Sequence, residues 1–256
     1  EKMGDHFCVI ASDERKERLE RDGIVINGKK YSLHVKEPEA AKGVDLLLVS
    51  CKQDALQGIL EDIRNIVDEH TIVISLLNGV SSEEIIGKVI GMEHMLYAVM
   101  RIASVREGNR ITFSEEHTAG VYIGEKGTRE PTERVLAVEQ LLKSAGLGCH
   151  VMEDIVLDMW IKYASNISQN LPQAILGVGF NAYKDSKNVY AIAERLWKEV
   201  ANVAHAKGIP LTERFVLFRG VKADARFSTL QDLDAGRHTE IEMFAGEMIR
   251  MGKEYG

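Results

Sequence analysis

Val44-Asp45-Leu46-Leu47-Leu48-Val49-Ser50-Cys51-Lys52 is the stretch on which the fold class turns. Its apolar run is continuous rather than alternating, the pattern of a strand buried on both faces. The next segment, Asp54–Val67, changes period: Leu56, Ile59, Leu60, Ile63 and Val67 recur as on one face of a helix. Thr71–Leu77 repeats the buried-strand pattern and runs into Asn78-Gly79. Ser82–Ile90 then reads as a helix capped by Ser81 or Ser82, and Met95–Met100 as a third strand. Buried strands alternating with amphipathic helices imply an α/β domain with a parallel, doubly wound sheet.

Upstream, Phe7–Ala11 is a short apolar run, and Asp13–Arg21 is a charged helix ending at Asp22-Gly23. Asn27-Gly28 is a hairpin signal between Ile24-Val25-Ile26 and Tyr31-Ser32-Leu33. Downstream, Ile111–Phe113 and Gly120–Ile123 read as an edge hairpin. Pro131–Ser144 is helical and stops at Gly146, and Cys149–Met152 is a last strand. After Asp154 strand-like runs nearly vanish. Val156–Ile175, Val189–Lys207 and Thr239–Met251 carry helical periodicity, and Gly208-Ile209-Pro210 stops the second of them. Residues 1–153 are thus expected to form the sheet domain and 154–256 an all-helical one.

The 256 residues carry a net charge of -7, with 45% hydrophobic and 28% charged residues. An acidic surface disfavours nucleic acid and anionic membrane as partners. No apolar run approaches the ~20 residues that span a bilayer. Cys8, Cys51 and Cys149 are an odd number without paired metal spacing, which reads as reduced thiols in a cytoplasmic protein with no metal site. Glu1 is not a Met, and the last helix has no clear stop, so segments are expected to be missing from both ends.

The chemistry concentrates in Trp160-Ile161-Lys162-Tyr163-Ala164-Ser165-Asn166-Ile167-Ser168-Gln169-Asn170. On a helix, Lys162, Asn166 and Asn170 fall four residues apart in one row. Their flanks are apolar, and polar groups in such a setting need partners. An oxygen-rich substrate is one partner; a solvated stripe on a surface helix is the competing reading. In an open doubly wound sheet, ligands bind beyond the carboxyl ends of strands. Lys52 and Asn78 follow two such ends, where a solvated Lys and an Asn-Gly turn are the plain alternatives. No G-x-G-x-x-G occurs; its place would lie upstream of Phe7. Gly177-Val178-Gly179 follows a helix rather than a strand and reads as a helix end or kink. Beyond Phe7–Ala11, where a ribose would be read, the chain offers Asp13 and Glu14, then Arg15, Lys16 and Arg18. Glu240 is a helix N-terminal acid, a charge partner for Lys162 or a contact to a cofactor.

Leu46–Lys52, Leu77-Asn78-Gly79-Val80, Trp160-Ile161-Lys162 with Asn166 and Asn170, Ser228 with Leu230-Gln231-Asp232, and Arg237-His238-Thr239-Glu240-Ile241 together resemble the ketopantoate reductase (2-dehydropantoate 2-reductase) family, in its order and near its spacing. The resemblance covers essentially the whole chain. It implies a Rossmann-type sheet domain followed by a helical domain, as in 6-phosphogluconate dehydrogenase-like proteins. It implies that Lys162 is the proton donor and that Glu240 helps position it. Asn78, Asn166, Asn170 and Ser228 would hold the substrate. Lys52, Asn78, Ser104, Glu240 and a basic residue such as Arg15 or Arg18 would contact NADP. The implied reaction is NADPH-dependent reduction of 2-dehydropantoate or a similar 2-keto acid, in pantothenate biosynthesis, by a monomer or homodimer.

The chain departs from the family pattern in lacking the Gly-rich loop, in having Ser12 or Asp13 near the place of the residue that reads the 2′-phosphate, and in having Asn170-Leu171-Pro172 where Asn-Pro is usual. The displaced Pro is expected to move the helix break and leaves Asn181 as a candidate for a further substrate contact. Another β-hydroxyacid-type dehydrogenase and a catalytically inactive NADP(H)-binding regulatory protein are the alternative readings.

Overall fold

The computed structural model describes residues 3–102, 104–116 and 118–256. The chain divides into two compact units: Glu1–Leu77 with Ser81–Ile155, and Asn78–Val80 with Val156–Gly256.

In the first unit the strands are β1 (Val9–Ile10), β2 (Ile24–Ile26), β3 (Lys29–Tyr31), β4 (Val35–Lys36), β5 (Leu46–Val49), β6 (Ile72–Ser75), β7 (Met95–Arg101), β8 (Ser104–Glu107), β9 (Arg110–Phe113), β10 (Gly120–Gly124) and β11 (Cys149–Val151). The helices are α1 (Asp13–Asp22), α2 (Gln53–Leu56), α3 (Leu60–Ile66), α4 (Ser82–Ile90) and α5 (Glu133–Ser144). The main sheet has the order β11-β10-β7-β6-β5. Strands β5, β6 and β7 are parallel, β10 runs antiparallel to β7, and β11 is parallel to β10. Successive residues of the central strands face opposite layers. Val73 and Met95 pack with Leu56, Ile63, Ile66 and Ile86 of α2, α3 and α4. Ile74 and Leu96 pack with Val135, Val138 and Leu142 of α5. Both faces of the sheet are therefore covered by helices, as a doubly wound fold requires.

Several expectations change at this level. Strand β5 is an edge, and its burial alternates: Leu47 and Val49 are buried while Leu46 and Leu48 are half-buried. Residues 111–113 and 120–123 do not form a hairpin. Strand β9 pairs with β8 and, in parallel, with β2, whereas β10 belongs to the main sheet. Among the described residues strand β1 pairs with β4 alone. The helix read over 54–67 is interrupted by a 3-10 turn at Gln57–Ile59, centred on Gly58, the poorest helix former in the segment. Ser81 is the N-cap of α4 by position, but its side chain makes no capping bond, and Ser82 turns instead to Ser75 and Glu83. The Asn27-Gly28 turn does join β2 to β3, with positive φ at both residues as a two-residue hairpin demands.

The second unit is helical: α6 (Ile155–Ser165), α7 (Leu171–Leu176), α8 (Ala182–Asp185), α9 (Lys187–Ala206), α10 (Ser228–Asp234) and α11 (Glu247–Tyr255). Trp197, Val200, Ala201 and Ala204 of α9 pack against Tyr163, Ala164, Ile167 and Phe244. Each fully buried Val, Ile or Phe side chain among them contributes roughly 1.5–3 kcal/mol. Helices α6 and α7 are joined by a π turn, Asn166–Asn170, and α11 is preceded by another, Glu242–Gly246. The break expected at Pro172 does not occur. A proline ring clashes with the carbonyl four residues earlier, here that of Ser168, and the wider π turn spanning that residue relieves the clash. Gly177 then ends α7 in the left-handed conformation.

Candidate functional site

Helix α6 is held by one face. Met159, Trp160, Tyr163 and Ala164 are buried, and Lys162 lies half-buried beside them. The Tyr163 hydroxyl donates to the Phe244 carbonyl at 2.7 Å, tying α6 to the π turn that precedes α11. Burial pushes that phenol well above its ordinary range, so it remains a donor. The Phe244 amide in turn donates to the Glu240 carbonyl at 3.1 Å. Glu240 therefore precedes a helix whose start is fixed to the helix bearing Lys162.

Between these charges stands Asn78. The Lys162 ammonium donates to Asn78 Oδ1 at 2.9 Å, and Asn78 Nδ2 donates to Glu240 Oε2 at 3.2 Å. The two charges dictate the orientation of the amide: its oxygen must face the cation and its nitrogen the carboxylate. Asn78 can adopt this place because Gly79 follows it. Gly79 has φ +96°, and a Cβ there would lie 3.1 Å from the Met243 side chain. The Leu-Asn-Gly-Val sequence thus brings a polar amide close to the helical packing, with glycine at the one position where a side chain would strain the backbone and crowd Met243.

A second group lies further along the same helix. Asn170, buried, donates from Nδ2 to Ser228 Oγ at 3.1 Å and accepts from the Thr229 amide at 3.3 Å. Asn166 is half-buried and makes no side-chain hydrogen bond to another described residue. The π turn makes the predicted row of Lys162, Asn166 and Asn170 uneven: Asn170 turns into the protein and Asn166 does not. Glu240 lies immediately before its helix rather than within it. The amide of Asn181 is engaged by the Asp185 carboxylate.

Residues read from the sheet domain lie on different elements. Lys52 is the N-cap of α2, three residues beyond β5. Gln53 beside it carries a buried Oε1 without a hydrogen-bond partner among the described residues. Ser104 opens β8, exposed and in a different sheet from β5. Arg15 is exposed on α1, which begins with Asp13 at φ +50°. A cavity of about 600 Å³ in this unit is lined by Glu84, Lys88, Tyr97, Glu125, Lys126 and Arg134 among others, and none of the candidate residues borders it. Among the described residues no cluster of His, Cys, Asp and Glu could hold a metal, and no helix is long and apolar enough to cross a membrane.

Two functional-looking residues were missed by the sequence reading. Gln169 and Gln173 are fully buried, and each makes two hydrogen bonds to main chain between residues 216 and 227. Their spacing from Asn166 continues the polar helical row, which is the signal that could have found them.

Two family models cover most of the chain: Ketopantoate reductase PanE/ApbA over residues 1–127, and its C-terminal counterpart over residues 154–256. The chain belongs to the ketopantoate reductase family. Among similar proteins, 2-dehydropantoate 2-reductase of Pyrococcus horikoshii is 29% identical over 264 residues, spanning 98% of this chain and 84% of that protein. The Streptococcus pyogenes enzyme of the same name is 26% identical over 250 residues, spanning 93% of this chain and 80% of its own length. The fold is shared with a ternary structure of D-mandelate dehydrogenase with NADH and anilino(oxo)acetate, with a TM-score of 0.81 at 24% identity over 100% of this chain and 86% of that one. The protein is accordingly an oxidoreductase of the ketopantoate reductase family, with the α/β domain followed by the helical domain that the family implies.

Proposed function

We propose that this ketopantoate reductase family member reduces a 2-keto acid to the 2-hydroxy acid, with 2-dehydropantoate the first substrate and NADPH the reductant. The observation that carries the reading is the hydrogen-bonded row Lys162–Asn78–Glu240. The chemistry that a bound reduced nicotinamide supplies is a hydride, with its two electrons, to the ketone carbon. Negative charge then builds on the ketone oxygen, and the Lys162 ammonium stabilises it in place and donates a proton from Nζ to complete the alcohol. Asn78 holds that ammonium by its carbonyl, and Glu240 holds Asn78. Asn166, Asn170 and Ser228 supply neutral donors and acceptors for the substrate's carboxylate and hydroxyl.

For the cofactor, Lys52 gives a cation suited to phosphate at a helix start, and the unpartnered Gln53 Oε1 beside it suits a hydroxyl or carboxamide donor. These groups fit a dinucleotide. Arg15 is assigned to the 2′-phosphate, Ser104 to a main-chain contact, and Asn78 and Glu240 to the nicotinamide side. Residues 1–153 are assigned to the cofactor and 154–256 to the substrate. Three free cysteines suit a reducing cytoplasm, and no nucleic-acid or membrane partner is proposed, only a monomer or homodimer. Because D-mandelate dehydrogenase shares the fold, the assay is a panel: 2-dehydropantoate and aryl and alkyl 2-keto acids, each with NADPH and NADH. Reduction of 2-dehydropantoate most efficiently with NADPH is the expected result. Cofactor binding without turnover on any member of the panel would overturn the reductase reading.

A further inference from the structure

Two glutamines on one stretch of helix read the main chain of one irregular segment. Gln169 Nε2 donates to the Val216 carbonyl at 3.0 Å, and its Oε1 accepts from the Phe218 amide at 3.0 Å. Gln173 Nε2 donates to the Ala225 carbonyl at 2.9 Å, and its Oε1 accepts from the Phe227 amide at 2.5 Å. Each glutamine thus binds the carbonyl of one residue and the amide of the residue two places on. That is the pairing one residue of a strand offers its neighbour across a parallel ladder, here supplied by a side chain. Asn170 contacts the start of α10 differently, donating to Ser228 Oγ and accepting from the Thr229 amide.

Gln169 and Gln173 are both 0% exposed, in a core where aliphatic side chains would fill the space without a polar desolvation cost. What amides provide there, and aliphatic groups do not, is a defined position for the bound backbone. The clamp by Gln173 ends at Phe227, the N-cap of α10, one residue before Ser228. The Phe227 ring also packs on Phe180 and Phe218, with centroids 5.7 and 5.8 Å away, so apolar packing of the segment does not depend on the amide.

We propose that Gln169 and Gln173 are positioning residues for the reaction: they fix the course of the segment 216–227 so that Ser228 Oγ is delivered to Asn170 and both to the substrate. The proposal rests on the assignment of Asn170 and Ser228 to the substrate. The test uses the full chain with Gln173→Leu and Gln169→Leu, alone and combined with Ser228→Ala. Loss of one such hydrogen-bonded clamp predicts that Gln173→Leu raises KM for 2-dehydropantoate ~10-fold, with kcat and NADPH affinity changed by less than ~3-fold. In the Ser228→Ala background the same substitution should add less than ~2-fold, because coupled residues are not additive. An unchanged KM, or an equal effect in both backgrounds, overturns the proposal. If Gln173→Leu does not fold, Gln173→Glu keeps the acceptor for Phe227 and loses the donor to Ala225; its KM is judged by the same two criteria. If the wild-type protein reduces no keto acid, the functional reading fails separately. Hydrogen exchange at the Ser228 and Thr229 amides then decides: faster exchange in Gln173→Leu supports the clamp, and unchanged exchange removes it.

Discussion

Glu83 and Glu240 invite comparison. Each carboxylate lies at the beginning of a helix, and each takes a hydrogen bond from the stretch 75–82. Glu83, in the first turn of α4, is 1% exposed; its side-chain donor is the Ser82 hydroxyl, at 3.0 Å. Loss of water there pushes its carboxyl up to about 7, and the bonds from Ser82 and its own amide offset only part of the shift. Glu240 is half-buried and reaches the Lys162 ammonium through a single carboxamide. The first arrangement is a core acid with hydroxyl partners. The second puts a carboxylate, an amide and a cation in one hydrogen-bonded line, which can hold a proton donor in a fixed direction. Buried carboxyls are not interchangeable, and the partner at the far end of the hydrogen-bond chain separates a structural acid from a candidate functional one.

The comparison breaks most easily at its cation. Lys162→Ala should lower kcat by a factor of ~10² or more, the range for a positioned general acid. Wild-type turnover in that variant would leave the row of charges without a chemical role. The next effect falls on the other acid and reads as stability. The unfolded chain ionises Glu83 near 4.5, and the folded protein does so only at about 7. Between those values the folded state holds the extra proton, so its stability falls as pH rises through the window and levels off above it. The whole shift corresponds to on the order of 3–4 kcal/mol. Glu83→Gln should remove this slope, leaving the variant more stable than wild type at pH ~8.5 by about 7–10 °C in Tm and nearly equal at pH ~5. Parallel melting curves for the two proteins across that range would contradict the assignment.

A smaller effect is expected at Glu240. Glu240→Gln retains an acceptor for Asn78 Nδ2 but removes the charge from the far end of the row. Loss of one charge-assisted hydrogen bond predicts a ~10-fold fall in kcat, with little change in Tm. A fall equal to that of Lys162→Ala would mean that Glu240 acts on the reacting atoms directly rather than through Asn78.

What could be read from the sequence follows the range of the interactions involved. The Asn27-Gly28 hairpin was legible because two adjacent residues with positive φ specify it. The pairing of Ile111 with β2 was not, because β9 reaches β2 more than eighty residues earlier and nothing local encodes that register, whereas its other partner, β8, is adjacent in sequence. Lys162, Asn166 and Asn170 stood out by spacing alone. The π turn that separates Asn170 from Asn166 was foreshadowed only by Pro172, whose conflict with Ser168 could equally have broken the helix. Gln169 and Gln173 were passed over because glutamine is usually a surface residue. Their burial depends on the irregular segment 207–227 folding back, which no periodicity announces.

The least of the expected effects concerns Ser82, and its pH dependence carries the information. Ser82 Oγ donates to Glu83 Oε2, so the 2.8 Å contact with Ser75 must have Ser75 as the donor, while Ser75 Oγ accepts from the Leu77 amide at 3.3 Å. The O–H dipoles of Ser75 and Ser82 therefore both point toward the carboxyl, an orientation that favours its ionised form. Ser82→Ala removes the nearer donor and leaves the buried Ser75 hydroxyl without its acceptor. The second loss is the same at every pH. The first is felt only where Glu83 is ionised, so the variant should lose about 1 kcal/mol more at pH ~8.5 than at pH ~5.5. The same substitution made in Glu83→Gln should cost an equal amount at both pH values, because the titrating group is gone. A pH-dependent cost that survives in the double variant would place the titration elsewhere and undo the contrast between the two acids.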